Sequence, residues 1–189
     1  LTVSDACARG EREDLSGEAL ARAVEKAGWS VAARSVVADD AESLKWLLIQ
    51  WCDRRRLDLL LTTGGTGLGP RDVTPEATRA VLEKEVPGLS ELMRREGLRK
   101  TPMAALSRGL AGSRGKTLIV NLPGSPAGAV ESFEAVRPTL AHAAAVLSGG
   151  GHAHPAHGRR AADPPPRSAR RHAAAGCPVI VTACPRPGV

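Results

Sequence analysis

Leu57-Asp58-Leu59-Leu60-Leu61-Thr62-Thr63-Gly64-Gly65 is a short apolar run stopped at once by two glycines. Such a run reads as a strand buried on both faces, and strands of that kind lie centrally in parallel sheets. It is interrupted by Asp58 and is far shorter than the roughly 20 residues a bilayer needs, so no membrane span is expected.

Working back from this strand, Leu44, Leu47, Leu48 and Trp51 form the apolar face of a helix that Asp39 or Asp40 is placed to cap. Ser35 to Val37 ends an extended run before it. Further back, Leu20, Ala23, Val24 and Ala27 fall at helical spacing before Gly28, and Leu1 to Ser4 reads as a strand end followed by a polar loop, Arg9 to Asp14. Working forward, Thr74-Pro75-Glu76 supplies an N-cap, a proline at the first helical position and an acid in the first turn, which predicts a helix over Glu76 to Glu85. Gly88 to Leu98 reads as another short helix and Thr117 to Val120 as a second buried strand ending at Asn121. A helical region follows from Ala127 to Leu147, bent at Pro138.

Strands alternating with helices predict an α/β fold, a three-layer sandwich with a mostly parallel central sheet covered on both faces. Ligands in such sheets bind beyond the carboxyl ends of the strands. Here those ends are Ser4-Asp5, Asp39, the loop after Thr63, and Asn121.

With 42% hydrophobic and 24% charged residues, the 189-residue chain has a globular composition. Its net charge of +6 is uneven: from Gly150 onward six arginines face Asp163 alone, which leaves the preceding part nearly neutral. That last stretch also holds seven of the 14 prolines, four of the five histidines and no aromatic residue. It lacks the anchors that would offset the entropy of ordering it, so residues 150–189 are expected to be a disordered basic tail or linker behind a domain of residues 1–149. Without aromatics for base stacking, the tail indicates no specific nucleic-acid readout. Its His152, His154 and His157 imitate a metal site but read more simply as composition, and the apolar island between Cys177 and Cys184 has no evident role. Four cysteines without zinc or disulfide-framework spacing point to a reducing cytoplasm. The opening on Leu1-Thr2-Val3 reads as a strand entered part-way, the mark of a fragment of something longer.

The loop from Thr62 to Thr78, TTGGTGLGPRDVTPEAT, exposes backbone N–H groups that could cradle phosphate. It lacks the Lys-Ser or Lys-Thr pair of a Walker A loop and the spacing of the dinucleotide fingerprint, so the glycine cluster alone is weak evidence, with a wide turn at a sheet edge as its plain alternative. Asp72 within it and Asp39 each have a plain reading as helix caps or salt-bridge partners. Together they bring two carboxylates from different strand ends to one rim, where hard oxygen ligands could hold Mg²⁺ against a triphosphate. That combination suggests phosphoryl or nucleotidyl transfer. The turn Asn121-Leu122-Pro123-Gly124-Ser125-Pro126 carries a glycine that permits close backbone approach to a ligand, and Ser107 lies in the polar patch Ser107-Arg108. With so little net charge on the domain, anion selectivity falls to placed amides, Arg71 and Mg²⁺.

TTGGTGLGPRDVTPEAT, LSR at Leu106 to Arg108 and RGKTLIVNLPGSP at Arg114 to Pro126 follow in an order that resembles the molybdopterin adenylyltransferase family. The resemblance runs from Leu1 to about Ser148. It is nearest to gephyrin-type G domains in LTVSD (Leu1 to Asp5), WCD (Trp51 to Asp53) and TPMAALSR (Thr101 to Arg108). It implies a molybdopterin-binding type of fold, a homotrimer, and activation of molybdopterin by Mg-ATP with release of pyrophosphate, a step toward molybdenum cofactor. Carried over by motif, Asp39 and Asp72 are the catalytic acids and the expected Mg²⁺ ligands, while Gly64, Gly65, Thr66 and Gly67 shape the nucleotide site. Ser107 and Asn121 hold or shape the pterin pocket, with Pro123 and Gly124 beside them and Ser4 and Asp5 lining it. Gephyrin's C-terminal molybdate-insertion domain is not in this sequence, and any role at the cytoplasmic face of a membrane would run through partners. The alternative is a trimeric scaffold module that clusters other proteins with weak or no catalysis.

Overall fold

The computed structural model describes residues 1–55 and 57–150 together with the backbone of Ile180–Val181. In chain order the elements are β1 (Thr2–Val3), α1 (Asp5–Ala8), α2 (Leu15–Lys26), β2 (Ser30–Val31), β3 (Val36–Val37), α3 (Ala41–Arg55) and β4 (Leu59–Thr63). Then come α4 (Thr74–Arg79), β5 (Lys84–Glu85), α5 (Pro87–Leu98), a 3₁₀ turn (Pro102–Leu106), β6 (Ala111–Arg114), β7 (Thr117–Leu122), α6 (Pro126–Leu147) and β8 (Ile180–Val181). Among the described residues the main sheet has the order β3-β1-β4-β7-β6-β5. The first four strands are parallel, and β6 is antiparallel to both β7 and β5.

The opening stretch does what its composition demands. Every residue of β4 and β7 is buried, yet period two still divides them between two cores. Leu59, Leu61, Leu118, Val120 and Leu122 pack with Leu20, Val24, Phe133 and Leu140 of α2 and α6. Leu60 and Ile119 pack on the other side with Val3, Leu44, Leu48 and Trp51. The result is the expected three-layer α/β arrangement with a mostly parallel sheet. Phe133 is wholly buried and meets Trp29 edge-on, ring centroids 5.7 Å apart. Deleting such a ring typically costs about 3–5 kcal/mol.

Local chemistry settles the helix starts. Asp40, not Asp39, caps α3: its carboxylate accepts from the Ser43 amide at 2.8 Å, which holds it below the usual carboxylate range. Asp39 is thereby free for the rim. Asp14 caps α2 through the Gly17 amide, and Ser4 caps α1, a short helix not foreseen in the sequence.

Two expectations change. The helix predicted over Glu76 to Glu85 ends at Arg79, and Thr74 is its first residue rather than its cap. The Thr74 hydroxyl donates to Gly64 O instead. Beyond it, Glu83 N and Val86 N donate to Ser113 O and Ala111 O, each at 2.8 Å, so an open strand edge claims the chain that propensity assigned to a helix. That edge belongs to β6, whose Ala-Gly-Ser-Arg sequence gives almost no strand signal. Gly112 is required there because a Cβ would strike Lys84 O of β5. α6 is one helix containing Pro138, which sits on its exposed side.

Of the expected tail, Ile180–Val181 pairs in parallel with β2. The tail histidines, Cys177 and Cys184 lie outside the described residues, as does the rest of 151–189. No helix among the described residues is long and apolar enough to cross a membrane.

Candidate active site

The carboxyl ends of β1, β3, β4 and β7 deliver their loops to one rim, where two cavities lie side by side. The smaller, about 200 Å³, is lined by Ser4, Asp39, Gly64, Gly65 and Asp72, among others. The larger, about 770 Å³, is bounded by α5, the 3₁₀ turn and α6, and by Thr66, Gly67, Ser107, Asn121 and Pro123. Gly124 belongs to both. The glycine loop is the partition: Gly64-Gly65 face one cavity and Thr66-Gly67 the other.

The partition is thin because three of its four residues, Gly64, Gly65 and Gly67, lack side chains. Gly64 has φ +104°, and a Cβ on it would strike Val3 O of the neighbouring strand. Gly65 has φ +61°, and a Cβ there would crowd Thr74 Oγ1 and lie 3.3 Å from Asp39 Oδ1. Gly124 passes so close that its Cβ would sit 3.1 Å from Gly64 Cα. No L side chain fits at Gly64 or Gly65 without strain.

Asp39 and Asp5 lock two strand ends reciprocally. Asp5 N donates to Asp39 Oδ2 at 2.8 Å and Asp39 N donates to Asp5 Oδ1 at 3.1 Å. Burial pushes the Asp39 carboxyl above its usual range; the Asp5 amide pulls it down, the nearby Asp5 and Asp72 carboxylates push it up, and Arg71 pulls it down. Asp72 accepts from Gly69 N at 2.7 Å, which folds the loop around it.

Several expected site residues have occupations of their own. Arg71 donates twice to Asp5, from Nε at 3.0 Å and from Nη2 at 2.8 Å, so its charge is already offset by a carboxylate and its side chain stands largely in solvent. Of Ser4 and Asp5, expected with the pterin group, Ser4 lines the smaller cavity, whereas Asp5, the first residue of α1, is in the lining of neither and is held by Asp39 and Arg71. Asn121 is buried; its amide donates to Thr62 Oγ1 at 2.9 Å and Thr78 Oγ1 at 3.0 Å, tying β7 to β4 and α4. It shapes the wall of the larger cavity. Ser107 lines that cavity, and its hydroxyl accepts a long contact, 3.4 Å, from Gly109 N.

Arg108 is the residue that the sequence left without a role. Its Nε donates to Gly67 O and its Nη2 to Asp72 O, both at 2.6 Å, while Nη1 pairs with Glu76. Burial raises the Glu76 carboxyl, but its own backbone N–H and Arg108 together hold it below the ordinary value. One guanidinium thus clamps the glycine loop, the segment carrying Asp72, and the start of α4. Its place directly after Ser107 was the available signal.

For a cation, the donor set is Asp39 and Asp72 on one cavity. Among the described residues no cluster of three or more His, Cys, Asp or Glu side chains gathers as a protein-only metal cage. Two carboxylates suit Mg²⁺, which keeps waters and shares substrate phosphates, and a carboxyl destabilised by burial and by like charges gains from a nearby cation.

Residues 1–142 match the model of a family described as a probable molybdopterin binding domain. The molybdenum cofactor synthesis protein cinnamon of Drosophila melanogaster is 45% identical over 144 residues, 76% of this chain and 24% of that protein. Molybdopterin adenylyltransferase of Helicobacter pylori strain J99 is 42% identical over 151 residues, 79% of this chain and 86% of that one. The crystal structure of the molybdopterin biosynthesis enzyme MoaB from Thermus thermophilus superposes with a TM-score of 0.74 at 59% identity, over 78% of this chain and 93% of that one. The chain thus spans most of the bacterial relatives but only about a quarter of the insect protein. Fold, rim and sequence agree, and the chain belongs to the molybdopterin binding domain family.

Proposed function

We propose that this chain is a molybdopterin adenylyltransferase, using Mg-ATP to adenylylate molybdopterin and releasing pyrophosphate in molybdenum cofactor synthesis. The observation that carries the reading is the pair of cavities meeting at Gly124 and the glycine partition, with both carboxylates on the smaller side. ATP occupies the smaller cavity and the pterin the larger, so the two substrates approach across a wall made mostly of glycine. A terminal phosphate oxygen of molybdopterin attacks the α-phosphorus of ATP; the bond from that phosphorus to the β-bridging oxygen breaks, and pyrophosphate leaves with the electron pair. Asp39 and Asp72 would hold Mg²⁺, whose chemistry there is to neutralise charge on the phosphates. Gly64 and Gly65 permit close approach, Arg108 fixes the loop, and Ser107 and the Asn121 wall orient the pterin. Catalysis of this kind is positioning and electrostatics.

The same proposal includes a homotrimer in the cytoplasm. Leu98, Met103 and Leu106 are exposed together at α5 and the 3₁₀ turn, an apolar surface that favours association. Among the described residues Cys7 and Cys52 are free thiols, as suits a reducing compartment. Apart from the strand Ile180–Val181, residues 150–189 are a linker or tail, and a molybdate-insertion domain would lie outside this sequence.

Incubating the chain with molybdopterin, ATP and Mg²⁺ should yield adenylylated molybdopterin and pyrophosphate, and Asp72→Asn should suppress both. A wild-type protein that stays trimeric yet forms no product would overturn the enzyme reading and favour the scaffold.

A further inference from the structure

The smaller cavity carries a charge problem that the motif residues leave unsolved. Asp39, Asp72 and Glu13 all line it. Arg71, the cation nearest in sequence to Asp72, is engaged with Asp5 and is not part of the lining. A nucleotide polyphosphate entering this space meets like charge, and one divalent cation offsets only part of it.

Among the described residues, Arg12 is the sole cation in the lining. Its side chain is exposed and engages no carboxylate among the described residues. Its loop is nevertheless fixed. Glu11 N donates to Ala6 O at 2.9 Å, and Asp14 caps α2 while accepting from Thr2 Oγ1 at 2.8 Å. Arg9 and Glu11 neutralise each other on the outside. The polar segment between α1 and α2 therefore holds one uncommitted guanidinium at the mouth of the cavity, and its flat fork of donors matches phosphate oxygens.

We propose that Arg12 binds a phosphate of the nucleotide and positions it against Asp39 and Asp72. This rests on ATP occupying the smaller cavity, as in the function proposed above. The test uses the full chain and its variants Arg12→Ala and Arg12→Lys, with calorimetric titration of ATP plus Mg²⁺ and of adenosine, beside KM for each substrate. Arg12→Ala should weaken ATP binding and raise KM for ATP about tenfold, the scale of one charge-assisted hydrogen bond. Adenosine binding, KM for molybdopterin and the melting temperature should not move, and Arg12→Lys should recover part of the loss. Unchanged ATP binding in Arg12→Ala, or an equal loss for adenosine, overturns the proposal. If the wild type binds ATP but makes no adenylylated product, the enzyme reading fails while the titrations still decide the role of Arg12.

Discussion

The two cavities at the rim are built by opposite means. The smaller is made of strand ends brought so close that Gly64 and Gly65 are needed, with its carboxylates fixed by backbone amides from Asp5 and Gly69. The larger is walled mainly by helices α5 and α6 and the 3₁₀ turn, whose side chains set its shape. Reaction geometry belongs in the first kind of wall, where tolerance is small. Substrate selection belongs in the second, where a substitution changes contacts and leaves the frame in place.

The sharpest way to break this division is to remove charge from the smaller cavity. Asp39→Asn and Asp72→Asn keep the shape and one acceptor oxygen each, so both proteins should fold. Adenylylation should fall by about 10²–10³-fold, the scale for losing one preorganised electrostatic contact at a reacting group. KM for molybdopterin should barely change. A loss confined to KM would mean that the carboxylates select substrate rather than organise the reaction.

Next in size is the buried wall of the larger cavity, where β7 is tied to β4 and α4. Asn121→Leu removes the donor shared by Thr62 and Thr78 and leaves two buried hydroxyls to find other partners. Each orphaned group costs about 1–3 kcal/mol, so chemical denaturation should show a loss in that range or somewhat above it. Ser107→Ala, within the larger cavity, should leave stability unchanged and raise KM for molybdopterin about five- to tenfold, with KM for ATP constant. Equal effects on both substrates would mean that the cavities are not separate sites.

The same contrast governs what could be read before the fold was known. Strand ends announce themselves: Leu57 to Gly65, the carboxylates Asp5 and Asp39 and the amide Asn121 are visible because burial and turn chemistry are local. Occupation is not local. Asp39 and Asp40 are adjacent and alike, and only the Ser43 amide assigns the cap to one and the rim to the other. Arg71 reads as a phosphate ligand until Asp5, 66 positions away in sequence, claims it. Arg108 draws no notice in its own segment, since its partners Gly67, Asp72 and Glu76 meet it only through the fold. The β5–β6 edge stayed hidden for a different reason. Its pairing is set by a close approach at Gly112, whereas its residues have little strand propensity and Thr74-Pro75-Glu76 points the chain toward a helix.

The smallest predicted effect sharpens the comparison most directly, because it asks what the smaller cavity costs the fold. Asp39 has a carboxyl raised by burial first, and by the Asp5 and Asp72 carboxylates beside it. A carboxyl raised on folding holds its proton to higher pH in the native state than in the unfolded chain. Its contribution to stability is therefore fully present below the ordinary carboxylate value and is lost as pH rises through the folded value. Asp39→Asn has no such titration, and its side-chain oxygen can still accept from Asp5 N. Thermal melts should show the variant gaining on the wild type as pH rises from about 4 to about 7, by a few degrees at most. Adding Mg²⁺ should raise the wild-type melting temperature and narrow the gap, because the cation favours the ionised form that burial disfavours. A gap that is flat with pH would show that Asp39 sits in the rim without strain, and that the rigidity of the smaller cavity comes from its glycines alone.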